Sequence, residues 1–304
     1  MALYNLQNKQ LKYINESPFK LEREIQNICE ENMPILLNCR FVRSEFAIDN
    51  FRLDSLAFDE TVSAFVIIEY KRDKNFSVID QGYAYLSLML NHKSDFILEY
   101  NEIIGKNLKR SDVDWSQSKV VFVSPSFTSY QKEAISFKDL PIELWEIKKY
   151  SNNTVSFTQV VTKNSVESIQ TISKADKTLE AVNKEIKVYT EDELIQFANE
   201  SIQELYEKIK RMILNIADDI TTKPTKLYMA FIRRSNFCDI EIQKNQLKVW
   251  INIQKGKLDD SKKITRDVSE VGHHGNGDYE MNISDDNDIE YLISLVRQGY
   301  NLNI

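Results

Sequence analysis

The chain contains no apolar run approaching the ~18 residues of a membrane span. Its start, Met-Ala-Leu-Tyr-Asn-Leu-Gln, lacks a basic stretch followed by an apolar one, so secretion is not expected and the cytoplasm is. Cysteine is scarce: Cys29, Cys39 and Cys238 lie far apart and form no CxxC pair. They read as reduced thiols, two of them core, and a disulfide framework is excluded. Excess positive charge is also missing, with 39 Lys+Arg against 46 Asp+Glu and a net charge of −7. Residues 1–161 hold 19 basic and 22 acidic side chains and residues 162–304 hold 20 and 24, so the deficit is spread over both halves. That balance argues against a simple nucleic-acid coat protein, which is normally basic. It leaves room for an enzyme with an acidic site and local basic patches, whose non-specific DNA affinity is modest and salt-dependent. No internal repeat is present.

What is there is ordinary for a globular protein: 304 residues, 42% hydrophobic and 28% charged, enough for two domains with separate cores. Ser17-Pro18 reads as the cap and first position of a helix running to Cys29, with Leu21, Ile25, Ile28 and Cys29 as its buried stripe. Strands are expected around Cys39–Phe46, at Phe51–Phe58 and at Ala64–Lys71, the last apolar enough to be central. Ser77 with Asp80 marks a helix start carrying Gln81, Tyr85, Leu88 and Met89 toward His92. Further strands are expected at Asp95–Tyr100, Lys119–Ser124 and Glu143–Lys148, with a short helix Tyr130–Phe137. This order describes an α/β domain with a mixed sheet flanked by helices, over residues 1–161. Residues 162–186 turn polar and read as a partly helical, solvated linker. A smaller α+β domain follows at 187–304. It opens with a capping box at Thr190–Glu193 and a long helix to about Ala217. Strands are expected at Leu227–Arg233, Phe237–Gln243, Leu247–Gln254 and Tyr279–Ile283, and Ser284 caps a final helix.

Charge stands at the ends of two neighbouring apolar strands. Asp54 lies in Phe-Arg-Leu-Asp-Ser-Leu-Ala-Phe, and Glu69-Tyr70-Lys71 closes the next strand. Alternation puts Arg52, Asp54 and Leu56 on one face and Ile67, Glu69 and Lys71 on one face of the neighbour. If the strands pair across the Asp59–Ser63 turn, Asp54 and Glu69 come together at one end of the sheet. Two carboxylates with the Tyr70 carbonyl suit Mg²⁺, and Lys71 can orient or deprotonate water beside a phosphodiester.

These residues resemble the PD-(D/E)XK nuclease superfamily. Asp54 stands at its first metal-binding acid, with Leu53 in place of the preceding proline. Glu69-Tyr70-Lys71 stands at its E-x-K, and Gln81-Gly82-Tyr83-Ala84-Tyr85 matches the Q-x-x-x-Y of its RecB-like branch. Glu22 resembles the acid of its N-terminal helix, with Glu24 as competitor. The resemblance covers about residues 15–161. It implies a restriction-endonuclease-like fold and a Mg²⁺- or Mn²⁺-dependent DNA endonuclease, of use in defence against foreign DNA or in repair. Asp54 and Glu69 would bind metal, Lys71 would act on water, and Gln81 and Glu22 would support them. Cutting both strands favours a homodimer. The alternative is an inactive module of the same fold that binds nucleic acid or a protein.

Several other residues stand near these motifs. Arg52, Arg72 and Lys74 flank the acids and could touch phosphate. Lys106, Lys109 and Arg110 form a basic cluster on a loop, and His92 ends a helix, where a cation suits the dipole. Tyr83 reads as packing. In the C-terminal half, His273-His274 beside Asp267 and Asp278 could bind a metal, but a glycine-rich structural turn is the better reading. Tyr228, Phe231, Phe237 and Trp250 read as strand residues packed under helices. From Val188 onward, Gly-His-His-Gly-Asn-Gly-Asp-Tyr-Glu and Ile-Ser-Leu-Val-Arg-Gln-Gly-Tyr resemble an uncharacterised bacterial domain. That domain occurs in proteins labelled as predicted transporters and beside restriction modules. No spanning segment supports transport, and selection of a substrate or partner is the expected role.

Overall fold

Seven consecutive buried residues, Ala64–Tyr70, make β5 the centre of the first sheet. Buried on both faces, such a strand must be flanked on both sides and covered above and below. In the computed structural model, which describes residues 2–72, 76–137, 139–161 and 177–303, that is how it lies. The strands are β3 (Arg40–Ile48), β4 (Phe51–Asp59), β5, β6 (Lys119–Ser124), β7 (Ile142–Lys149) and β8 (Val155–Gln159), hydrogen-bonded in that order. β3, β4 and β5 pair antiparallel, β5–β6–β7 parallel, and β8 returns antiparallel. The sheet is therefore mixed, as expected.

Helices cover both faces. On one, α1 (Glu22–Glu31) and α2 (Met33–Leu37) set Ile25, Cys29 and Met33 against Ala57, Val66, Ile68 and Tyr70. On the other, α3 (Val78–Asn91), α4 (Lys93–Ile104), α5 (Ser129–Ala134) and α6 (Lys177–Glu185) close a core containing Leu56, Phe65, Ile67, Leu86, Phe96 and Phe122. A separate two-stranded sheet, β1 (Leu3–Gln7) with β2 (Gln10–Ile14), precedes them.

Several local expectations are corrected. The first helix starts at Glu22, not at Ser17-Pro18; Ser17 instead donates its backbone N–H to the Lys149 carbonyl at 2.7 Å. Leu21, placed in the buried stripe, is the N-cap residue and 62% exposed. Asp95–Tyr100 is not a strand but part of α4, where Phe96 and Tyr100, four apart, share the buried side. β8 was not anticipated. The linker is helical over 177–185 (α6), as expected, but its Val182 and the following Ile186 are buried in the first core rather than solvated.

The chain divides into two compact units, Met1–Val188 and Tyr189–Ile304. The second carries an antiparallel sheet of β9 (Thr221–Pro224), β10 (Met229–Ile232), β11 (Asn236–Ile242), β12 (Leu247–Ile251), β13 (Arg266–Asp267) and β14 (Tyr279–Ile283). Its strand order is β13-β14-β12-β11-β10-β9. Its core takes apolar residues from α7 (Glu191–Ile195), α8 (Glu200–Leu214) and α9 (Ile289–Leu302). The Thr190 capping box closes in both directions, yet the long helix expected from it is broken. Asn199 accepts from the Ile202 N–H and starts α8 afresh, because an asparagine that can cap competes with helix continuation. The last helix is led by Asp288, not Ser284. Phe231 and Phe237 lie in the helix-side core. Trp250 instead pairs across strands with Asp239 and meets the rings of His273 and His274. Among the described residues no helix is long and apolar enough to cross a membrane.

Candidate active site

β4 and β5 pair from Asp59↔Ala64 to Ser55↔Ile68. One step beyond, pairing ends and Asp54 takes over with its side chain: the Tyr70 backbone N–H donates to Asp54 Oδ2 at 2.9 Å. Strict alternation is not kept here, since Leu53 and Leu56, three apart, join the same core. Opposite them in β3, Glu45 sits between the pairs Ser44↔Ser55 and Phe46↔Leu53 with φ 54, a left-handed backbone rare outside glycine. Irregularities of this kind re-aim side chains beside functional sites.

Glu69 stands at the end of β5, 3% exposed. Its Oε1 accepts from Lys71 Nζ at 2.6 Å and from Gln81 Nε2 at 2.8 Å. Its Oε2 is buried with no hydrogen-bond partner. Gln81 also donates to the Tyr85 hydroxyl at 2.8 Å. The helix delivers Gln81 because Ser77 caps α3, accepting from the Asp80 N–H. Gly82 lets the helix lie close on the sheet: a Cβ there would meet Ile142 Cδ1 at 2.4 Å. Glu22, the first residue of α1, accepts from the Arg72 N–H at 3.0 Å, while Glu24 faces Lys149 instead.

Burial first, and then the Glu69 carboxylate, push the Asp54 carboxyl up to about 7; the Tyr70 N–H and Lys71 work against them. For Lys71, burial works toward a lower pKa, but its hydrogen bond to Glu69 prevails and holds it above its usual value. Burial, followed by Glu69, raises the Tyr85 phenol well out of its usual range. A site that crowds carboxylates and leaves one carboxylate oxygen unpartnered has the donor chemistry of a hard divalent cation. Asp54 and Glu69 fit such a group.

One network behind the acids is absent from the motif reading. Gln26, one turn after Glu22, is buried and its Nε2 lies within hydrogen-bond distance of Glu30 Oε1 (2.9 Å), Ser44 Oγ (3.1 Å), the Asp54 carbonyl (3.1 Å) and Glu45 Oε1 (3.3 Å). Ser55 Oγ donates to Glu30 at 2.6 Å and receives the Tyr70 hydroxyl at 3.1 Å. The four-residue spacing Glu22–Gln26–Glu30 on one helix face was a readable signal.

Among the described residues the flanking cations have partners other than Asp54 and Glu69. Arg52 pairs with Glu45 at 2.7 Å, Arg72 donates to the Lys20 carbonyl, and Lys106 reaches Glu60. Arg110 begins a 3₁₀ turn, Arg110–Asp112, with Lys109 as its N-cap. His92 pairs with Asp49 between α3 and α4. Lys74 lies outside the described residues. The Tyr83 hydroxyl donates to Asn183. In the second unit His273 Nδ1 meets the Val271 carbonyl and His274 Nδ1 meets Glu241. Among the described residues no group of three or more His, Cys, Asp or Glu side chains is placed to hold a metal.

Comparison with known proteins gives one relative along the whole chain. An "Uncharacterized protein" of Haemophilus influenzae is 48% identical over 299 residues, covering 98% of this chain and 99% of its own length. Residues 191–303 match the family model "Domain of unknown function (DUF5655)", in the half where an uncharacterised bacterial domain was expected. Among solved structures, a repair endonuclease from Pyrococcus abyssi is 20% identical, with a TM-score of 0.26, covering 43% of this chain and 49% of its own. EndoMS in complex with double-stranded DNA is 19% identical, with a TM-score of 0.24, covering 48% and 60%. The chain thus spans about half to three fifths of these two structures, and overlaps of that size say nothing about chemistry.

Proposed function

We propose that this chain, which belongs to one family with the Haemophilus influenzae protein, is a metal-dependent phosphodiester hydrolase and specifically a DNA endonuclease. The observation that carries the reading is Glu69: a buried carboxylate whose Oε1 is saturated by Lys71 and Gln81 while its Oε2 has no partner. Burying a charged oxygen without a partner costs several kcal/mol, a cost a cation would remove.

Asp54, Glu69 and the Tyr70 carbonyl are the ligands in this reading. A bound Mg²⁺ or Mn²⁺ supplies charge neutralisation on the phosphate and lowers the pKa of water. The chain's own residues do the rest. The Tyr70 N–H fixes the Asp54 carboxylate. Gln81, steadied against the Tyr85 hydroxyl, holds Glu69 in place. Lys71 keeps a cationic donor at the acids, where it orients water and meets phosphate charge. Glu22 positions the backbone just past Lys71 through the Arg72 N–H.

Purified protein should nick supercoiled plasmid with Mg²⁺ or Mn²⁺ and not with excess chelator. Glu69→Ala and Lys71→Ala should each lower the rate by at least 10³-fold while far-UV circular dichroism stays unchanged. Cleavage that survives both substitutions would remove the assignment.

A further inference from the structure

The first fifteen residues contain Lys9 and Lys12 and no Asp or Glu, in a chain whose net charge is −7. They fold into the β1–β2 hairpin, which is hydrogen-bonded to neither six-stranded sheet. Every residue from Tyr4 to Tyr13 is exposed. Tyr4 faces Tyr13 and Leu6 faces Leu11 in register, so alternation gathers these four side chains on one face. They are 52%, 52%, 67% and 67% exposed, respectively. The tyrosine rings meet edge to face at 5.6 Å. The turn residues Asn8 and Lys9 both have positive φ, 48 and 65, as a tight two-residue hairpin turn requires, and this puts Lys9 at the tip.

An isolated hairpin is marginal in water, yet this one is anchored at its base. Ser151 donates its N–H to the Asn15 carbonyl, Ser17 donates to the Lys149 carbonyl, and Glu16 bridges Tyr150. From Ile14 the chain reaches Glu22, at the candidate active site, in eight residues, a span of at most about 28 Å.

Charge and chemistry choose the occupant. A second copy would bring like-charged hairpins together, and four side chains fall far short of the roughly 20–30 residues a side of a stable interface. A polynucleotide supplies the opposite charge. Exposed aromatic and aliphatic side chains take base faces, which only unpaired strands offer, and lysines take phosphates. We propose that the N-terminal hairpin docks an unpaired polynucleotide strand, with Tyr4 and Tyr13 stacking on bases and Lys9, at the tip, neutralising a phosphate, while Lys12, on the opposite face, adds only its charge to the field. The inference rests on the hydrolase reading, because it names the form of substrate presented to that site.

The test uses the full chain in chelator, so that nothing is cut. Fluorescence anisotropy follows binding to labelled fifteen-residue oligo(dT) and oligo(U) and to a blunt fifteen-pair duplex. Tyr4→Ala/Tyr13→Ala should weaken binding of the single strands at least tenfold and change duplex binding less than threefold. Lys9→Gln should lower the slope of log affinity against log salt by about 0.7, one phosphate contact. A preference between the two oligonucleotides says whether the docked strand is DNA or RNA. Single-strand affinity unchanged in both variants, or undetectable in the wild type, would overturn the proposal. So would a wild-type dimer that Tyr4→Ala/Tyr13→Ala converts to monomer in sedimentation without altering oligonucleotide affinity. Plasmid nicking that persists alongside such a result leaves the hydrolase standing. Hairpin-dependent binding without any metal-dependent nicking leaves the dock and removes the hydrolase.

Discussion

At Glu69, one carboxylate oxygen takes two donors and the other takes none, so the side chain's aim depends on Lys71 and Gln81 together. Removing the neutral donor tests how much that aim matters. On the proposed hydrolase reading, Gln81→Ala should lower kcat by about 10–100-fold and weaken Mn²⁺ binding in a calorimetric titration, the usual cost of losing a group that orients a ligand. Tyr85→Phe, which removes Gln81's second contact, should cost less than tenfold. Full activity in Gln81→Ala would show that Lys71 alone positions the carboxylate. Residue types were the most readable layer of the candidate site. Acid, E-x-K and Q-x-x-x-Y stand out because each role in the proposed chemistry accepts few side chains. Gln26 and Glu45 did not stand out, because their roles depend on a partner strand's backbone and an unusual φ that composition does not reveal.

Elements were readable where their signals are local. The Ser77 and Thr190 caps, the buried run of β5 and the Tyr279–Ile283 strand all follow from side chains within a few residues. The errors fell where two periods compete. Asp95–Tyr100 is short, apolar and bounded by polar residues, which suits a strand; Phe96 and Tyr100 meeting Phe58 and Phe65 across the core made it a helix. The break before α8 gives a direct measure of capping. Asn199→Ala should destabilise the second unit by about 1 kcal/mol in a urea titration. Close approach matters more in the glycine-rich loop. A Cβ on Gly277 would lie 2.2 Å from the Ile251 carbonyl oxygen, and backbone cannot step aside as a side-chain tip can. Gly277→Ala should cost about 1–3 kcal/mol, read as a lower urea midpoint. An unchanged midpoint would mean that the loop lifts off β12 at little cost.

At the scale of the whole molecule, the second unit carries its own pH dependence. Asp239 is fully buried in β11, where Asn276 N–H and the side-chain amides of Asn236 and Asn252 donate to it. Burial nevertheless pushes its carboxyl up to about 6 from an ordinary 3.8, against those bonds and the influence of His273. The folded state therefore binds this proton more tightly than the unfolded chain does. The resulting stabilisation is complete below about pH 4, shrinks as pH rises and is gone above about pH 6. At ~1.4 kcal/mol per unit, its upper bound is about 3 kcal/mol. Asp239→Asn should remove that component, so the wild-type-minus-variant difference in unfolding free energy should change between pH 4 and 7. A constant difference would show that Asp239 titrates as it does in the unfolded chain.

Short-range physics placed much of this protein on its sequence alone: an apolar strand that must be central, acids and a lysine at its end, capped helices, an antiparallel second sheet. Alternation, helical period and capping are properties of neighbouring residues, so one chain suffices to read them. Long-range contact settled the rest. Register brings Tyr70 N–H to Asp54, Gly82 lets α3 carry Gln81 onto Glu69, and Gln26 reaches from α1 to the Asp54 carbonyl. The same holds for the exposed hairpin, whose four apolar side chains look like core residues until the fold leaves them uncovered. Such outcomes depend on which distant surfaces meet and how closely, and that is fixed only when the strands pair and the core closes.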